Sequence, residues 1–143
     1  MTDENDLERF VEAQAGRMAD AMAELRAGRK RTHRKWYVFP QLRGLGRSET
    51  ARHFGLASRA EAAAYLAHPV LGPRLRDCVE LVLAVQGRGA HAIFGSPDDL
   101  KLRSCLTLFR ELDGAGGVFD RALRKYFDGE PDPATLDLLA RPR

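Results

Sequence analysis

The sequence contains almost nothing that reads as a β-strand. No segment alternates apolar and polar residues over the length a half-buried strand needs, and internal repeats and domain linkers are missing as well. Helices must account for the whole core, which makes the fold class all-α. No apolar run approaches the roughly 18 residues of a membrane span. The opening Met1-Thr2-Asp3-Glu4-Asn5-Asp6 is acidic where a signal peptide would be basic and then apolar. These features point to a cytoplasmic protein with no membrane partner. There are only two cysteines, Cys78 and Cys105, both on apolar helix faces. Each is expected as a small buried hydrophobe rather than half of a disulfide. His33, His53, His68 and His91 stand apart, without the spacing of a helical metal site or a zinc-like Cys/His pattern. No metal and no cofactor are expected. Nucleophile elbows, Walker loops and His-Glu-x-x-His motifs are missing too, so the sequence discloses no reaction.

Lysine is scarce, with 4 residues against 19 arginines. The formal net charge of +3 hides a local excess. Arg26, Arg29, Lys30, Arg31, Arg34 and Lys35 contribute +6 without an intervening acid, leaving −3 for the rest of the chain. Such a cluster is a solvated face complementing a helix C-terminus, or a contact for phosphate, nucleic acid or an acidic protein. The full length, residues 1–143, suits a single compact orthogonal helical domain of about seven to eight helices, frayed at 1–4 and 140–143.

The chain is organised around a long aromatic and basic loop after the first helix, residues 29–47. It holds the only tryptophan, Trp36, with Tyr37, Phe39 and Pro40. A connection of this length is functional or disordered, and its aromatic content argues against disorder. Trp36 and Phe39 are expected to pack against the first helix. That helix is read as continuous from a cap at Asn5 or Asp6 to about Ala27, on the spacing of Leu7, Phe10, Val11, Met18, Met22 and Leu25, with Gly28 as its stop. A short helix follows over Glu49 to about Phe54. Ser58 with Glu61 forms a capping box for a helix ending near Pro69. Further helices run from about Leu71 to Gly87, over Ala90–Phe94, from Pro97 to about Leu112, from Val118 to Gly129, and from Asp132-Pro133 onward.

The helix beginning at Pro97 carries a conflict. Leu102, Cys105, Leu106, Leu108, Phe109 and Leu112 share one arc at about 100° per residue, and Asp98 and Lys101 fall inside that arc. Core-directed charges must pair, reach out to water, or line a cavity. Asp98 and Lys101 stand at i, i+3 and can pair. In a pocket they would be functional groups at a helix start suited to anions. Arg103, Ser104, Thr107 and Arg110 fall on the opposite, exposed side; Arg103 and Ser104 could reach a groove beneath a neighbouring loop. His33 is the loop's candidate acid or base. Gln41, Arg43, Gly44, Gly46 and Arg47 are candidate ligand contacts, since glycines beside arginines can present backbone N–H groups to an anion.

Four stretches carry a family resemblance: Asp6-Leu7-Glu8-Arg9-Phe10-Val11-Glu12-Ala13-Gln14, Phe39-Pro40-Gln41-Leu42-Arg43-Gly44-Leu45-Gly46-Arg47-Ser48, Ala63-Ala64-Tyr65-Leu66-Ala67-His68-Pro69-Val70-Leu71-Gly72, and Ile93-Phe94-Gly95-Ser96-Pro97-Asp98-Asp99-Leu100-Lys101-Leu102-Arg103-Ser104. Together they resemble an all-helical bacterial and fungal family of unknown function, whose members are often labelled calpastatin in genomes. The resemblance spans nearly the whole chain and implies the fold; it brings no activity. The family reads aromatic-Met-Trp after the loop histidine, whereas this chain has Arg34-Lys35-Trp36, a more polar edge. A weaker similarity, in the layout around His68-Pro69 and Leu71, is to helical N-glycosidases acting on ADP-ribose-like and riboflavin-pathway nucleotides.

Two functional expectations follow. The first is a site for a phosphorylated or nucleotide-like small molecule, extending to N-glycosidic hydrolysis with Asp98 as acid/base and Lys101 on phosphate. The catalytic set is then Asp98, Lys101 and His33, and the ligand-binding set is Trp36, Phe39, Gln41, Arg43, Gly44, Gly46, Arg47, Arg103 and Ser104. The second is a non-catalytic module binding nucleic acid or an acidic protein through residues 26–35. The residues specify no oligomeric state.

Overall fold

The computed structural model describes residues 7–29, 38–45, 53–95 and 97–141. Its described residues form eight helices: α1 Glu8–Gln14, α2 Met18–Arg26, α3 Arg59–Ala67, α4 Leu71–Ala84, α5 Ala90–Phe94, α6 Asp98–Asp113, α7 Val118–Phe127 and α8 Pro133–Ala140. They contain no strand, and the all-α class read from the sequence stands. One isolated parallel bridge joins Leu42 to Leu56, where Arg43 donates its N–H to Leu56 and Leu56 donates its own to Gln41.

The first helix departs from expectation. It divides into α1 and α2 because Gly16 adopts φ +76°, a left-handed conformation open mainly to glycine. The break turns Phe10 from one piece and Ala21 and Leu25 from the other into the same core. Gly28, at φ +73°, ends α2 as read from the sequence. Gly28 donates to the Leu25 carbonyl and Arg29 to that of Glu24, the paired bonds of a Schellman end.

The capping box at α3 forms, shifted by one residue. Ser58 Oγ accepts from the Glu61 N–H, and Glu61 Oε1 accepts from Ala57 rather than Ser58. The α3–α4 corner is tight: a Cβ on Gly72 would lie 2.2 Å from the Leu66 carbonyl oxygen, so only glycine fits there. His68 Nδ1 accepts the N–H groups of Val70 and Leu71, covering donors that the start of α4 leaves open. α4 stops at Ala84, three residues short of Gly87.

α6 is the central element, packing against α3, α5, α7 and α8. A line of rings runs through the core: Phe10 meets Tyr65 edge-on at 5.1 Å, Tyr65 meets Phe109, and Phe109 meets Phe119. Offset and edge-on pairs of this kind are the favoured aromatic geometries. No helix among the described residues is long and apolar enough to cross a membrane.

Candidate functional site

Asp98 and Lys101 come together as the i, i+3 spacing requires, with Lys101 Nζ 3.8 Å from Asp98 Oδ1. Their side chains are 31% and 40% exposed, so both stay in contact with water. The core-directed placement is corrected: the first turn of α6 lies at the margin of the core, and burial begins at Leu102. Beside the pair, Asp99 accepts the Leu100 N–H and lies 3.4 Å from His91 Nδ1.

Arg103, Ser104 and Thr107 also require correction, because their face of α6 is covered rather than exposed. Ser104 and Thr107 are buried, with the segment leading into α8 lying over them. Arg103 donates to the carbonyls of Glu130 and Pro131 at 3.0 and 2.9 Å. Ser104 donates to Asp132 at 3.0 Å, and Thr107 Oγ1 accepts the Asp132 N–H at 2.9 Å. Asp132 also caps α8, accepting from the N–H and hydroxyl of Thr135. Arg103 and Ser104 thus fasten one helix to another.

The loop residues distribute around neighbouring elements. Phe39 meets Phe94 of α5 edge-on at 5.8 Å. Gln41 contributes its backbone carbonyl to the bridge with Leu56, and Arg43 reaches the Gly55 carbonyl. Gly44, at φ +107°, faces Leu138 of α8. His33, Trp36, Gly46 and Arg47 lie outside the described residues, as do Asn5, Asp6, Tyr37 and most of the short helix expected at 49–54.

Two polar constellations were not singled out from the sequence. Arg9 holds the buried Glu61 at 3.1 Å, donates to the His53 and Gly55 carbonyls, and lies over the Phe10 ring. Gln14, fully buried, donates to the Tyr65 hydroxyl at 3.0 Å and accepts from Arg74. The only sequence signal for either was the capping-box glutamate. Their partners stand about fifty residues away or more, beyond the reach of local pattern.

The arginines separate into two groups. Arg76, Arg110, Arg121, Arg124 and Arg141 pair with Asp113, Glu111, Glu80, Asp120 and Asp137. Arg43, Arg59 and Arg103 bind carbonyls, Arg74 binds Gln14, Arg9 binds Glu61, and Arg17 is engaged as well. Arg26, Arg29 and Arg88 are all exposed, and their guanidinium groups have no hydrogen-bond or ion-pair partner among the described residues. The fold brings Arg88 beside Gly28, which lies between Arg26 and Arg29 in sequence. A Cβ on Gly28 would sit 3.1 Å from Val85 and 3.4 Å from Arg88 Cδ, so the end of α2 and the turn after α4 lie side by side. The carbonyls at the end of α4 are already occupied, by Lys125 on Leu83 and Val85 and by the Tyr126 hydroxyl on Val82.

The family described as "protein of unknown function (DUF1810)" matches residues 4–139. The chain belongs to that family. A solved structure, the conserved hypothetical protein Rv1873 from Mycobacterium tuberculosis, is 53% identical and superposes with a TM-score of 0.93, covering 96% of this chain and 99% of that one. No curated protein matches.

Family membership secures the fold, while the description of DUF1810 carries no reaction, so chemistry must be read from the side chains. Burial pushes the Cys78 thiol up to about 12 and holds Cys105 well above its ordinary value. Both thiols are free and buried, and kept protonated they are poor nucleophiles. Among the described residues, no group of three or more His, Cys, Asp or Glu side chains is placed to hold a metal ion.

Proposed function

We propose that this DUF1810 protein is a non-catalytic binding module, and that an anionic macromolecule docks where the ends of α2 and α4 meet. The observation that carries the reading is the selective lack of partners at Arg26, Arg29 and Arg88, on a surface where the other described arginines are engaged. Like charges gathered without counter-charges repel one another and attract anions. Arg26 and Arg29 open a basic run that Lys30, Arg31, Arg34 and Lys35 continue in sequence. Binding to immobilised heparin, followed by a salt gradient, tests the reading. Elution well above the salt needed to release an Arg26→Gln/Arg29→Gln/Arg88→Gln variant supports it. Coincident elution of the two proteins refutes it.

A second reading keeps one specific observation. Asp98 and Lys101 are adjacent and half-exposed at the start of α6, where a phosphorylated or nucleotide-like ligand could reach both. N-glycosidic hydrolysis would use Asp98 as acid/base and Lys101 on phosphate. Thermal melts with a nucleotide panel, paired with chromatography for released base, check it. No melt shift and no released base would remove this reading.

A further inference from the structure

We infer that the partner of the arginine face is nucleic acid, gripped through its phosphate backbone by Arg26, Arg29, Arg88 and the turn at residues 86–89; this inference rests on the binding-module reading above. Three features of the face favour phosphate over an acidic protein.

The first is that the described residues of the face include no apolar anchor. Protein–protein interfaces concentrate their energy in a few large side chains packed in desolvated pockets. The exposed large hydrophobics among the described residues are Val70 and Leu100. Val70 precedes the 14-residue helix α4, which separates it from the arginine face by about 20 Å. Leu100 is a single exposed side chain between Asp99 and Lys101 in the first turn of α6. Phosphate contacts require no such anchor, since they position through charge and hydrogen bonds.

The second is donor type. The face presents three guanidinium groups, whose planar forks match two phosphate oxygens at once. The neighbouring ammonium, Lys125, is held on the carbonyls that end α4.

The third is the turn itself. Gln86, Gly87, Arg88 and Gly89 are all exposed. A Cβ at Gly87 or Gly89 would meet nothing within 4 Å, so a bulky chain can approach the backbone. Among the described residues, the N–H groups of Gly87, Arg88 and Gly89 have no hydrogen-bond partner. Unbonded backbone donors beside an arginine are recurrent phosphate contacts. The recognition inferred is of the phosphate backbone, which carries no sequence information directly.

Arg88 is the discriminating residue. It stands far from the basic run in sequence and joins it only through the fold. The test is fluorescence anisotropy of the full chain against labelled single-stranded and duplex oligonucleotides and a poly-glutamate peptide of equal charge, each across a salt series. Wild-type protein should bind oligonucleotide with a log affinity that falls linearly against log salt. Arg88→Gln should lower that slope by about one, and Arg88→Glu should weaken binding at least tenfold, both with unchanged melts. Arg141→Gln, which removes an equal charge from the ion pair with Asp137 at the end of α8, should leave affinity unchanged. If Arg141→Gln weakens binding as much as Arg88→Gln, net charge alone is responsible and the inference falls. If poly-glutamate binds as tightly and with the same dependence on Arg88, the anionic surface stands and the nucleic-acid assignment fails. If neither polymer binds, both readings fail together.

Discussion

Arginine does two different jobs in this molecule. Arg9 and Arg103 are built into the fold: one reaches a buried carboxylate and two carbonyls across α1 and α3, and the other ties α6 to the entry of α8. Arg26, Arg29 and Arg88 hold nothing together. The difference follows from what each position faces. A guanidinium beside buried carbonyls and a carboxylate satisfies groups that would otherwise be stranded, so its removal leaves them unpaired. A guanidinium in water satisfies no buried group, so the fold gains little from it beyond the charge that Arg26 sets against the C-terminal end of α2. Charges without a structural partner therefore direct attention to binding.

Four variants would sharpen or break this contrast. The largest effect is expected at Glu61, whose side chain is fully buried against an Arg9 that is 9% exposed. Glu61→Ala strands that arginine and should cost about 3–5 kcal/mol in denaturant unfolding; a loss below about 1 would mean that water reaches the pair. Next comes Asp132, which caps α8 and accepts from Ser104 and Thr135. Asp132→Ala should cost about 2 kcal/mol, as expected for a lost cap with unsatisfied hydroxyls, and a wild-type melt would show that the contact between α6 and α8 carries little. Lys101→Met breaks a half-exposed pair and should change stability by under about 1 kcal/mol; a severe loss would place Lys101 in the interior after all. The smallest effect belongs to Arg26→Gln/Arg29→Gln/Arg88→Gln, expected within about 0.5 kcal/mol of wild type. Clear destabilisation there would make these arginines structural and erase the distinction.

Much of the fold was legible before any coordinates. The positions of α3 through α8 followed from caps, glycines and apolar spacing, because these signals act within one or two turns. Asp132-Pro133 announced α8, and Ser58 with Glu61 announced α3. The break at Gly16 was missed because the apolar spacing continues across it, and a glycine within a helical pattern can be tolerated. The candidate site was legible only in part. The spacing of Asp98 and Lys101 gave their pairing, whereas the helical wheel misjudged their burial, because a wheel assigns direction around an axis and says nothing of where the core ends along it. Ser104 and Thr107 were misjudged for the complementary reason: their side of α6 is polar, and its burial depends on α8.

The sequence by itself determined the helical class, most helix limits, the buried thiols and the local basic run, since each depends on residues a few positions apart. Only the tertiary structure decided which charges have partners. Arg9 meets Glu61 across 52 residues, Arg74 meets Gln14 across 60, and Arg103 meets the carbonyl of Pro131 across 28. Arg88 joins Arg26 and Arg29 because Val85 packs against Gly28. Pairing and exposure depend on which helix faces lie against each other, and that is settled when the core closes.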